Sequence, residues 1–136
     1  MNLQVLEKGR QQNPERWTQG YFVRPAIILG AESKDEIITC EQFGPIVPIV
    51  KFSTEDEAIE RANDSEYGLR ASVWTSDRKR ATAIADRLEA GAVFHNNHGI
   101  FRDLRLEFPG VKQSGLSRES RHAGLDHYAD SYGFAD

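Results

Sequence analysis

The chain has one cysteine in 136 residues, so no disulfide can form within it. Such usage fits a reducing, cytoplasmic setting. Long hydrophobic runs are missing as well. No stretch approaches the roughly 20 apolar residues that a membrane-crossing helix needs. Residues 1–9 lack the basic start, apolar run and small-residue cleavage site of a signal peptide. Excess positive charge is also absent: the formal net charge is −4, which argues against a nucleic-acid partner. The densest basic stretch, Arg78-Lys79-Arg80, lies inside an alanine-rich helical pattern and reads as a solvated face. Repeats and low-complexity tracts do not occur. What is present, 39% apolar and 28% charged residues, suffices for a globular domain and speaks against wholesale disorder.

Residues 1–19 are polar, broken by Gln11-Gln-Asn-Pro14, and read as a loosely held lead-in. Residues 20–136 form the remainder. Phe22–Leu29 predicts a strand, which Pro25 restricts to an edge or bulge. Asp35–Thr39 reads as a short helical turn, and Ile46–Phe52 as a buried strand with Pro48 limiting its donors. Thr54 followed by Glu57 has the capping-box pattern for a helix over 54–64, with Glu57 and Arg61 as a favourable i,i+4 pair. Leu69–Thr75 predicts a strand. Ser76 or Asp77 then opens a helix over 77–90, where Ala81, Ile84, Ala85 and Leu88 repeat on one face. Gly91 stands where a helix takes a left-handed C-terminal residue, and Ala92–Asn96 is a further strand. This alternation predicts an α/β fold with a parallel-stranded sheet and crossover helices, its strands at 46–52, 71–75 and 92–96. Residues 97–117 form a long loop rich in glycine and polar groups, which in a compact domain points to function. A last helix is expected over 118–129, with 130–134 extending into a strand.

Several residue types invite a chemical reading. Cys40 would need a neighbouring base or cation to become a nucleophile. Glu41 beside it does the reverse and no histidine is near in sequence, so Cys40 is expected to be structural and semi-buried. His95 and His98 are three apart with no third ligand in sight, which does not make a metal site. His122 and His127 read as helix-surface residues. Neither the Walker nor the dinucleotide glycine pattern occurs.

Two segments carry more. Cys40-Glu-Gln-Phe-Gly-Pro45 and Glu107-Phe-Pro-Gly-Val-Lys-Gln-Ser-Gly-Leu116 stand about sixty residues apart, and Tyr67-Gly-Leu69 and Gly91-Ala-Val-Phe-His-Asn96 lie between them. In this order they resemble signature segments of the aldehyde dehydrogenase superfamily, over roughly residues 20–130. The match is to the C-terminal part of that family's catalytic domain. The resemblance implies that Glu41 holds the nicotinamide ribose hydroxyls, since a carboxylate can accept two hydrogen bonds from a vicinal diol. It implies that Phe43 packs near the nicotinamide ring, and that Phe101 and Phe108 line the substrate tunnel. Gly110–Gly115 is similar to the family's glycine-rich turn, there for close backbone packing, and Arg118-Glu119 to the pair after it. The chain departs from the pattern at Pro109 and Ser117, usually glycines, and at Glu107, often proline.

The resemblance further implies NAD or NADP as cofactor, a small-molecule aldehyde as substrate, and a homo-oligomer or association with a missing N-terminal part. The family's nucleophilic cysteine and general-base glutamate match nothing in these residues. The chain alone is therefore expected to be inactive, without catalytic residues and with weak cofactor affinity. The alternative from another class is a non-catalytic oligomerisation or partner-binding module derived from the family.

Overall fold

The computed structural model describes residues 3–9, 12–98, 106–116 and 118–135. Their contacts divide into two compact units, Met1–Thr54 and Glu55–Asp136.

The first unit is built on a three-stranded sheet of order β1-β2-β3, with β1 Gln4–Glu7, β2 Ala26–Leu29 and β3 Ile46–Ile49. β1 runs antiparallel to β2, with Val5 opposite Ile28, and β3 runs parallel to β2, with Pro48 opposite Ile28. The residues expected as a loose lead-in thus supply a strand, followed by a 3-10 turn at Pro14–Gln19. Pro25 does not push β2 to an edge. The ladder starts just after it at Ala26, so its missing N–H breaks no ladder bond, and its carbonyl accepts from Lys8 N–H at 2.8 Å. Ile28 and Ala31 are buried. Beyond β2, α1 Glu36–Thr39 is the short helical turn expected from sequence, and Cys40 closes it.

The second unit opens with α2 Glu55–Asn63, whose Ile59 is buried and whose Arg61 pairs with Glu57 at 2.8 Å. Next come β4 Tyr67–Gly68, β5 Arg70–Val73, α3 Arg78–Ala85 and β6 Ala92–His95. β5 and β6 pair in parallel, Arg70 opposite Ala92 and Ser72 opposite Phe94, with α3 as the crossover that packs against both. This is the βαβ unit the alternation predicts. Asp77 is the cap of α3: its Oδ1 accepts from Lys79 N–H at 2.8 Å and Arg80 N–H at 3.2 Å. Ala81 faces inward and is buried. The helix is shorter than expected. After Ala85 the bonds become i→i−3, Arg87 N–H to Ile84 O and Leu88 N–H to Ala85 O, and the last turn tightens.

The parallel strands do not form one run of three. Ile46–Ile49 pairs with β2 in the first unit, whereas β5 and β6 form their own sheet in the second.

The long loop holds β7 Phe108–Pro109 and β8 Val111–Lys112, and β9 Arg118–Glu119 replaces the start of the expected last helix. β7 pairs antiparallel with β9, and β8 with β4. α4 Arg121–Asp126 follows, and residues 130–135 carry neither helix nor strand. Gly91 is not left-handed. It is needed because a Cβ there would sit 1.9 Å from the Pro109 carbonyl oxygen. No helix among the described residues is long and apolar enough to cross a membrane.

Candidate cofactor and substrate-wall residues

Glu41 and Phe43 lie in the first unit, on the turn from Cys40 to Pro45 between α1 and β3. The Gln42 amide donates to the Cys40 carbonyl at 3.3 Å and Ile46 N–H to the Gly44 carbonyl at 2.8 Å, so the turn is folded on itself. Phe43 is 100% exposed, a ring with no packing partner among the described residues. Glu41 is exposed, and its carboxylate makes no ion pair or hydrogen bond among the described residues. Both acceptor oxygens are therefore open to a diol. Cys40 is exposed rather than semi-buried, because α1 is one turn long and buries none of its residues. Its sulfur lies 3.9 Å from the Thr39 hydroxyl. That neighbour supplies neither a base nor a cation to activate a thiol.

The second group belongs to the β5–β6 sheet. Alternation along a strand places Arg70 and Ser72 on the same face as Ala92 and Phe94. The other face holds Val73 and Val93, which with Ala81 and Ala85 of α3 line a groove of about 230 Å³. On the face away from α3, Trp74 Nε1 donates to Ser72 Oγ at 3.3 Å, and His98 Nδ1 lies 3.1 Å from the same oxygen. Phe108, in β7, is half-buried. Its ring lies under the Arg70 guanidinium, with Cζ 4.3 Å from the ring centroid, and the Phe94 ring is 5.7 Å from the same carbon. Phe101 lies outside the described residues.

Asn96 ends β6 in the left-handed region at φ 51°. Its side-chain amide pairs with both backbone groups of Thr75, accepting from N–H and donating to C=O, each at 2.9 Å. An amide can do this because it carries a donor and an acceptor side by side, as a peptide unit does. The asparagine thus extends the β5–β6 ladder by one position.

Arg118 has a comparable role. Its Nη1 donates to the carbonyls of Gly110 and Leu116, each at 3.1 Å, and clasps the glycine-rich turn. Within that turn Gly110 has no room for a Cβ, which would meet Ser114 O at 2.6 Å, and Gly115 takes φ +117°. Gly110 serves close backbone packing, as read from sequence, whereas Gly115, with nothing within 4 Å of a Cβ, serves its positive φ.

His95 Nε2 lies 2.8 Å from Thr75 O and His98 is engaged with Ser72, and no three-ligand cluster occurs among the described residues. His127, read as an ordinary surface residue, accepts from Arg118 N–H at 3.3 Å. Arg70 was not singled out from sequence. The only signal was its place at the start of a strand whose parallel neighbour carries an aromatic two positions on.

The aldehyde dehydrogenase family model matches residues 2–132. Geranial dehydrogenase of Castellaniella defragrans is 45% identical over 101 residues, which is 74% of this chain and 21% of that protein. Phenylacetaldehyde dehydrogenase of Pseudomonas fluorescens is 44% identical over 111 residues, 81% of this chain and 22% of its own length. Betaine aldehyde dehydrogenase of Staphylococcus aureus, solved in complex with NAD+, superposes with a TM-score of 0.83 at 33% identity, covering 93% of this chain and 25% of that one. The chain therefore spans about a quarter of the length of the relatives it matches. With the model matching nearly every residue, the chain belongs to the aldehyde dehydrogenase family.

Proposed function

We propose that this chain serves the NAD(P)-dependent oxidation of an aldehyde to a carboxylic acid, supplying residues that line the cofactor and the substrate. The observation that carries this reading is the Cys40–Pro45 turn. It presents an unpaired carboxylate and a wholly exposed aromatic ring two residues apart, inside a segment the family model matches. Exposed apolar rings cost free energy unless something covers them, and a nicotinamide ring is a flat surface suited to Phe43. The Glu41 carboxylate would accept the two ribose hydroxyls. The cofactor, when bound, supplies the hydride acceptor.

Phe108, with Phe101, would wall the aldehyde. Apolar walls remove water from around a carbonyl and leave its carbon open to a thiolate. Neither the thiolate nor the base that activates water is assigned to any of these 136 residues. The exposed free thiol of Cys40 fits a reducing, cytoplasmic location. Leu125, Tyr128, Tyr132 and Phe134 stay largely exposed near the C-terminus, which supports self-association.

The test is a chimera in which residues 20–132 replace the corresponding segment of the Staphylococcus aureus enzyme. Glu41→Gln there is expected to raise KM for NAD+ or slow hydride transfer by roughly tenfold, the loss of a charged hydrogen bond to the ribose. Unchanged kinetics would remove Glu41 from the cofactor site.

A further inference from the structure

We propose that Arg70 makes the Phe94–Phe108 wall selective against cations, so that the aldehyde taken at this site is uncharged or anionic. The inference rests on the reading of Phe108 as a substrate wall, and deepens it by naming a substrate class.

The argument begins with the rings. An aromatic face carries a negative quadrupole and attracts cations, which is why quaternary ammonium groups are held in aromatic cages. An aldehyde with a cationic head would therefore find its natural seat on the face of Phe108. In this chain that contact is already taken. The Arg70 guanidinium carbon lies 4.3 Å from the Phe108 centroid and 5.7 Å from that of Phe94, so one cation serves both rings. On that face a second cation must displace the guanidinium or sit close to a like charge.

The strand geometry explains why Arg70 reaches this position. It opens β5, and the register sets Ser72 opposite Phe94, so Arg70 and Phe94 are diagonal neighbours on one face of the parallel pair. β7 brings Phe108 to the same side. An arginine suits the place because its planar, weakly hydrated guanidinium stacks on rings, and its charge does not titrate away near neutrality.

Other heads are treated differently. An uncharged alkyl or aryl group packs on the ring edges and on the aliphatic stem of Arg70 without meeting a like charge.

The test is a titration of the whole chain, with phenylalanine rings carbon-13 labelled and Phe108 assigned from Phe108→Leu. Tetramethylammonium is the cationic probe. Phenylacetamide is the uncharged one, an unreactive analogue of an aryl acetaldehyde. Tetramethylammonium is expected to shift the Phe108 ring signals saturably in Arg70→Ala, with an apparent affinity about two- to fivefold above that of the unaltered chain. Arg70→Lys, which keeps the cation, should follow the unaltered chain. Equal shifts in the unaltered chain and in Arg70→Ala would overturn the proposal, as would no shift in either. Phenylacetamide should move Phe108 in both. If it moves neither while the cation result holds, Arg70 still bars cations but Phe108 is no substrate wall, and the substrate class falls with that reading.

Discussion

Gly91→Ala is expected to destabilise the second unit by about 3 kcal/mol, the upper end of the usual cost of overpacking. A Cβ at residue 91 would stand 1.9 Å from the carbonyl oxygen of Pro109 and 2.6 Å from its carbon. These are backbone atoms of β7, paired to β9, and cannot rotate aside as a side chain would. Gly91 is held in place as well, since its N–H donates to the Gly68 carbonyl at 2.9 Å. Either β7 moves away from β6 or the Gly91–Gly68 bond breaks. Since β7 carries Phe108, the shift should also disturb the stack with Arg70. Urea denaturation provides the measurement: for a typical slope of about 2 kcal/mol per molar, the midpoint should fall by roughly 1.5 M. Gly44→Ala is the control. Nothing lies within 4 Å of a Cβ at residue 44, and its midpoint should stay within experimental scatter. A Gly91→Ala midpoint equal to that of Gly44→Ala would show that β7 is not packed against residue 91.

Lys112→Met is the second large effect, expected to cost about 2 kcal/mol. The Lys112 ammonium donates to the carbonyls of Asn63 at 2.7 Å and Ser65 at 3.0 Å, and pairs with Glu89 at 2.6 Å. The first two contacts close the C-terminal end of α2, where carbonyls lack helical partners and the dipole favours a cation. Hydrogen bonds from charged groups contribute about 1.5–3 kcal/mol. Glu89 is 59% exposed, so its pair with Lys112 is screened by water and adds little. Methionine keeps the aliphatic reach and removes only the ammonium. Glu89→Gln should therefore cost well under 1 kcal/mol while Lys112→Met costs about 2. Equal losses from both, read from urea midpoints, would place the stabilisation in the ion pair rather than in the helix cap. Lys112 also sits at φ 53°, a conformation costing a side-chain-bearing residue on the order of 1 kcal/mol, which its contacts must offset.

What sequence disclosed follows from how local each signal is. Helix α3 was legible because Asp77 and the repeat of Ala81, Ile84 and Ala85 lie within a few residues of one another. The parallel pairing of β5 and β6 was legible because a strand–helix–strand order leaves few other arrangements. The two-residue pairs β4–β8 and β7–β9 were not. Each joins segments that short-range periodicity does not connect, and a two-residue strand shows no alternation to read. Gly91 was singled out for a sound reason at the wrong level, local backbone freedom instead of a close approach by Pro109. Pro25 misled similarly: its restriction is real, but β2 begins one residue later.

At the candidate site, Glu41 and Phe43 could be picked out only through resemblance, since nothing in their spacing states a ligand. Lys112 carries no local signal, and Arg70 only its place beside a strand that bears an aromatic. Their partners lie far along the chain, Asn63 for the first and Phe108 for the second.

The central claim is that these residues serve aldehyde oxidation with a nicotinamide cofactor. Its most direct test is aldehyde-dependent NADH formation by the chimera carrying residues 20–132, given an uncharged aldehyde. The account predicts turnover that requires both the aldehyde and NAD+. A chimera that folds and melts like its parent, yet forms no NADH with any of a broad panel of aldehydes, would contradict it.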